Sequence, residues 1–139
     1  MKFKQFGSKY VVSIARGEEI VESLRQLCSD QHIKLGSMVG IGAVNRASIG
    51  VFEIATGEYH TRELSGDMEI TNLTGNISTL NGEVYLHIHI SLSDSSYQTL
   101  GGHLNSAYVS GACEIIIDAI IGEVGREVDP DVGLNLFKL

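Results

Sequence analysis

The stretch Ile77-Ser78-Thr79-Leu80-Asn81-Gly82-Glu83-Val84-Tyr85-Leu86-His87-Ile88-His89-Ile90-Ser91-Leu92 decides how this chain folds. Asn81-Gly82 between two strand-like runs is the strongest short-range hairpin signal, because a type I′ turn needs positive φ at both central residues. Beyond the turn the alternation is clean. Val84, Leu86, Ile88, Ile90 and Leu92 fall on one face of a strand, and Tyr85, His87, His89 and Ser91 on the other. Two of the chain's five histidines therefore share a polar strand face.

Outward from this hairpin the pattern stays mainly β. Asp67 to Ile77 alternates for several residues, Tyr10 to Ile14 is a β-rich run ended by Arg16-Gly17, and Ser37–Val44 and Ile49–Ile54 are two further runs. Tyr108-Val109 and Cys113–Ile121 add more, the latter apolar enough for a central strand, and Leu134–Leu139 reads as a last strand. One segment differs. From Glu18 to about Asp30 the apolar residues Ile20, Val21, Leu24, Leu27 and Cys28 form a helical stripe, with Glu18 and Glu19 in the first turn where the dipole favours negative charge. No linker, repeat or low-complexity block interrupts the chain. The expectation is a single α+β domain over residues 1–139: a central, mostly antiparallel sheet or partial barrel with one main helix.

Composition narrows the function. The 139 residues carry 10 Lys+Arg against 17 Asp+Glu, a formal net charge of −7, and the basic residues are scattered. Affinity for a polyphosphate backbone comes largely from clustered Lys and Arg, so direct nucleic-acid binding is opposed. Cys28 and Cys113 form no C-x-x-C and read as two reduced, partly buried thiols. The N-terminal segment lacks an apolar signal core, and no stretch has the length of a membrane span, so a soluble cytoplasmic protein is expected.

The histidines are the one chemical constellation. His87 and His89 lie about 7 Å apart along the strand and can converge on one ion. If Ser93–Gly101 is a hairpin loop, the returning strand brings His103 beside them, and Gly101-Gly102 allows a sharp turn or a close backbone approach. Three imidazoles with an open fourth position suit zinc. H-x-H alone is a weak motif, more often simply what a polar strand face carries, and only the third histidine brings the metal reading level with that one. His32 and His60 have no such partners and read as surface residues. Gly40-Ile41-Gly42-Ala43-Val44-Asn45 lacks the third glycine of a dinucleotide fingerprint and reads as a strand that bends where another backbone comes close. The serines from Ser91 to Ser96 form no nucleophile elbow. Asp94 either orients an imidazole or forms a turn.

Glu69-Ile70-Thr71-Asn72-Leu73-Thr74-Gly75-Asn76-Ile77, then Leu86-His87-Ile88-His89-Ile90-Ser91-Leu92-Ser93-Asp94, then Leu100-Gly101-Gly102-His103-Leu104, resembles the plant and prokaryote conserved (PPC) domain, also called DUF296. Gly40–Val44, Ala107-Tyr108-Val109 and Cys113-Glu114-Ile115 fit the same pattern in order, so the resemblance runs from about Tyr10 to Leu139. It implies an α+β domain that assembles into a homotrimer. Plant members follow a basic Arg-Gly-Arg-Pro element that enters the DNA minor groove. This sequence contains no such element and has Gly66-Asp67-Met68-Glu69-Ile70 where plant domains carry a Gly-Arg-Phe-Glu-Ile type of segment. Stand-alone prokaryotic members resemble this chain in keeping three histidines, and some bind zinc there, which carries over to His87, His89 and His103.

Two readings follow. The first is a stand-alone, non-enzymatic trimer that binds zinc and meets a protein partner or small ligand, with a regulatory or DNA-associated role by family label. The alternative is a zinc-dependent metalloenzyme, hydrolase or cupin-like, with Asp94 or Glu53 as carboxylate. Against a cupin, the position four after His89 is Ser93 rather than a carboxylate.

Overall fold

The computed structural model describes residues 1–139. Eight strands and one helix follow in the order β1 (Lys2–Phe6), β2 (Lys9–Ile14), α1 (Ile20–Asp30), β3 (Gly36–Glu53), β4 (Glu58–Leu80), β5 (Glu83–Ser93), β6 (Thr99–Ala119), β7 (Arg126–Val128) and β8 (Asn135–Phe137). The first six strands make one antiparallel sheet in the order β1-β2-β6-β3-β4-β5. Strand β5 also pairs with β6, which closes β6, β3, β4 and β5 into a ring. Strands β7 and β8 form a separate two-stranded ribbon.

The hairpin at Asn81-Gly82 forms as the sequence requires. Both residues take positive φ, 54° and 86°, and Leu80 pairs with Glu83 across a two-residue loop. Ile88, Ile90 and Leu92 are then fully buried, and with Leu73 and Ile77 of β4 and Ile115 and Ile117 of β6 they belong to one apolar core of 27 residues. Leu86 is only partly buried at its margin.

Helix α1 buries the anticipated stripe, Ile20, Val21, Leu24, Leu27 and Cys28. It starts two residues later than the periodicity implies. Glu19 is the N-cap, its carboxylate accepting from the N–H groups of Val21 and Glu22 at 3.1 and 2.6 Å. The same carboxylate accepts from the Ala107 N–H at 2.8 Å, which ties the helix to β6. Glu18 lies outside the helix and bonds the N-terminal ammonium and the Ala15 N–H.

The largest departure from expectation is strand length. Ser37–Val44 and Ile49–Ile54 are not two strands but, up to Glu53, parts of the 18-residue β3, and the runs at Tyr108 and Cys113 belong, up to Ala119, to the 21-residue β6. Register shifts between Gly40 and Gly42 and between Val44 and Arg46 break the periodicity that would have joined them. The bend at Gly40-Ile41-Gly42 is confirmed: a Cβ on Gly42 would sit 2.3 Å from the Ala112 carbonyl oxygen, so only glycine admits the neighbouring strand. No helix is long and apolar enough to cross a membrane.

Candidate metal centre

His87 and His89 stand on the outer face of β5, and His103 of β6 pairs directly opposite His89. The connection is tighter than expected, since Ser93 already pairs with Thr99 and the loop is Asp94–Gln98. One ring nitrogen from each of His87, His89 and His103 lies within 4.8 Å of the others. The Nε2 atoms of His87 and His89 are 3.3 Å apart. Nitrogens held at about 2.0–2.1 Å around a tetrahedral ion stand about 3.3 Å from one another, so this pair already has ligand spacing. The rings are 5.1 to 5.7 Å apart by centroid, and none of the three stacks face to face on another.

Burial and neighbouring charge favour the neutral form of two of these rings, His87 and His103. Burial, then the charges of His103, Arg126 and His89, push His87 down to about 4. Burial, then the charge of His89, pushes His103 down as well. A neutral imidazole has a free lone pair for an ion, so both shifts favour coordination over protonation at neutral pH.

A cavity of about 460 Å³ opens beside the histidines. Its floor is Gly50 of β3 and Gly102 of β6, and a Cβ on Gly102 would meet the Gly50 carbonyl oxygen at 2.7 Å. Gly50 in turn leaves room for Tyr59, whose hydroxyl donates to Asn105 Oδ1 at 2.7 Å and whose ring meets His103 edge-on. The ribbon supplies the opposite wall. Arg126 reaches between Tyr85 and Phe137 and donates to Ser78 Oγ, Asn76 Oδ1 and the Asn135 carbonyl, each at 2.7 Å.

Neither carboxylate considered from the sequence reaches the histidines. Asp94 accepts from the N–H groups of Ser96 and Gln98 at 2.8 and 3.1 Å, so it is the turn former of the β5–β6 loop. Glu53 lies 3.3 Å from His60, with Glu58 at 3.6 Å, in an exposed cluster on the β3–β4 hairpin. His60 thus remains at the surface but does have partners, which the sequence reading missed because they come from two strands joined by a turn. The cysteines stay apart, free and buried, with Cys28 pushed up to about 12 and Cys113 to about 11 by loss of solvent. Arg126 and Tyr59 escaped the sequence reading. Each is a lone residue brought in from a distant strand, with no local spacing to mark it.

A family model described as the Plants and Prokaryotes Conserved (PCC) domain matches residues 1–121, and the chain belongs to this family. Among solved structures, a Bacteroides thetaiotaomicron protein described as a "putative dna binding protein" is 41% identical, with 99% of this chain and 96% of that chain covered and a TM-score of 0.96. A metal-containing protein from Archaeoglobus fulgidus is 32% identical over 100% of both chains, with a TM-score of 0.90. A plant- and prokaryote-conserved (PPC) protein from Pyrococcus horikoshii is 29% identical over 99% of this chain and 95% of that one, with a TM-score of 0.87. A bifunctional protein GlmU from a Synechococcus strain is 26% identical over 127 residues, 89% of this chain. The chain spans only about a fifth (19%) of the length of that curated relative.

Proposed function

We propose that residues 1–139 act as one PCC-type unit, a homotrimeric metal-binding protein whose ion is zinc, held by His87, His89 and His103. The observation that carries this is the convergence of the three ring nitrogens within 4.8 Å on a face where burial holds two of them neutral. A 32% identical relative of the same fold is a metal-containing protein. An all-imidazole donor set suits zinc better than magnesium or calcium, which prefer oxygen ligands. Two free buried cysteines agree with a reducing, cytoplasmic setting.

The trimer is supported by the family resemblance and by the outer face of the sheet. Val11, Ile116 and Val39 lie side by side on β2, β6 and β3 and are each 41% exposed or more. Ile41, two residues along β3, is 59% exposed. An apolar row of this kind on a charged surface fits a contact between copies.

The roomy cavity beside the histidines favours one further reading, a zinc-dependent enzyme acting on a small molecule. Bound zinc with an open fourth position would act there as a Lewis acid. The residues of this chain would hold and orient what enters: besides the histidines, Tyr59, Tyr85, Arg126 and Asn135 are the polar groups of the wall, and Val51, Phe52, Leu134 and Leu136 the apolar ones. With a formal charge of −7, a DNA-associated role is better served by protein contacts than by direct phosphate binding.

Metal analysis of protein purified without a nickel column, beside His87→Ala, tests the zinc reading. Zinc in the wild type and its loss in the variant are expected, and a metal-free wild type ends both the binding and the enzyme readings.

A further inference from the structure

Arg126 is 9% exposed and has no carboxylate partner. Its three hydrogen bonds go to a hydroxyl, an amide oxygen and a backbone carbonyl, all neutral acceptors. The acid of its own strand, Glu127, pairs with Lys138 instead, at 3.1 Å. One N–H on each terminal nitrogen is left without a protein acceptor, since a guanidinium carries five and three are used. Two aromatic rings, Tyr85 at 4.8 Å and Phe137 at 4.4 Å, soften the burial of the charge but do not neutralise it.

The same guanidinium lines the cavity of the three histidines, and that lining contains no Asp or Glu in a chain that has 17 of them. An unpaired buried charge is costly, and it is normally retained where something of opposite sign arrives. A divalent ion on the histidines would make the cavity more positive still.

We infer that this cavity is an oxyanion site: it takes a small organic anion whose carboxylate or phosphate group lies between the histidine-held metal and the Arg126 guanidinium, with its apolar body against Val51, Phe52, Leu134 and Leu136. Guanidinium recognises planar carboxylates and phosphates through paired N–H donors, which is why Arg rather than Lys suits this wall. The inference rests on the metal reading for one anchor of the anion and on Arg126 alone for the other.

The test is calorimetric titration of zinc-loaded and metal-free protein with succinate, inorganic phosphate and the neutral isostere succinamide, repeated on Arg126→Gln. Succinate or phosphate binds the wild type and succinamide does not, and the relative affinities show which oxyanion the cavity prefers. Arg126→Gln weakens anion binding about ten- to a hundredfold while zinc stoichiometry is unchanged. Equal binding of succinamide, no binding of either anion, or undiminished anion affinity in the variant overturns the inference. Should the variant fail to fold, judged by circular dichroism, the succinate–succinamide comparison on the wild type decides alone. A wild type that takes no zinc but binds anions through Arg126 sinks the metal anchor and leaves the arginine anchor standing.

Discussion

His87 gives up part of its hydration to stand at the cavity wall, and the charged ring suffers more from this than the neutral one. Its folded value, about 4, lies below the ordinary 6.5, so the unfolded chain binds the proton more readily. The stability that neutral His87 contributes is therefore complete above pH 6.5 and is lost as the pH falls from there towards 4. Urea unfolding of metal-free protein at pH 7.5 and 5 should give a lower midpoint at the acid end, and His87→Ala should flatten that difference. The thiols carry an opposite kind of shift. Cys28 and Cys113 are buried and raised to about 12 and 11, so a disulfide-exchange reagent at pH 8 should label neither in the native protein and both in denaturant. The histidines were legible because strand alternation fixes which side chains share a face. Arg126 was not, since it reaches the cavity from a ribbon whose docking no local pattern announces.

Among the elements, the β4–β5 hairpin and helix α1 were open to reading because each is specified by neighbours in sequence. Gly82 at φ 86° closes the turn, and Gly82→Ala should cost about 1–2 kcal/mol in a denaturant titration. Glu19 does more than begin the helix, since it also holds the Ala107 N–H of β6. Glu19→Ala should cost about 2–3 kcal/mol, more than the ~1 kcal/mol typical of a helix cap alone, because the bond to the Ala107 N–H of β6 is lost with it. Strands β3 and β6 were divided wrongly for a physical reason. Each keeps its hydrogen-bonded path through bulges that shift the inward face by one residue, so the alternation that marks a strand is reset midway. The β5–β6 hairpin was anticipated, but closure of the ring through the pairing of β6 with distant β3 was foreseen only as a partial barrel, because non-local pairing leaves no trace in either strand alone.

At the scale of the whole molecule, the ring of β3 to β6 holds the histidines on its outer surface while the core fills the other side. The apolar row on β2, β6 and β3 is the face we assign to the trimer, and Ile116→Glu should break that assembly to monomers in light scattering while leaving the far-ultraviolet circular dichroism unchanged. Metal and assembly are separate claims, since the histidines lie on β5 and β6 away from that row. The zinc content of protein purified without a metal-affinity step, set beside that of His87→Ala, bears most directly on the centre of this reading. We expect one zinc per chain in the wild type and a loss of most of it in the variant; a wild type without stoichiometric metal, or a variant that keeps it, would overturn the three-histidine site.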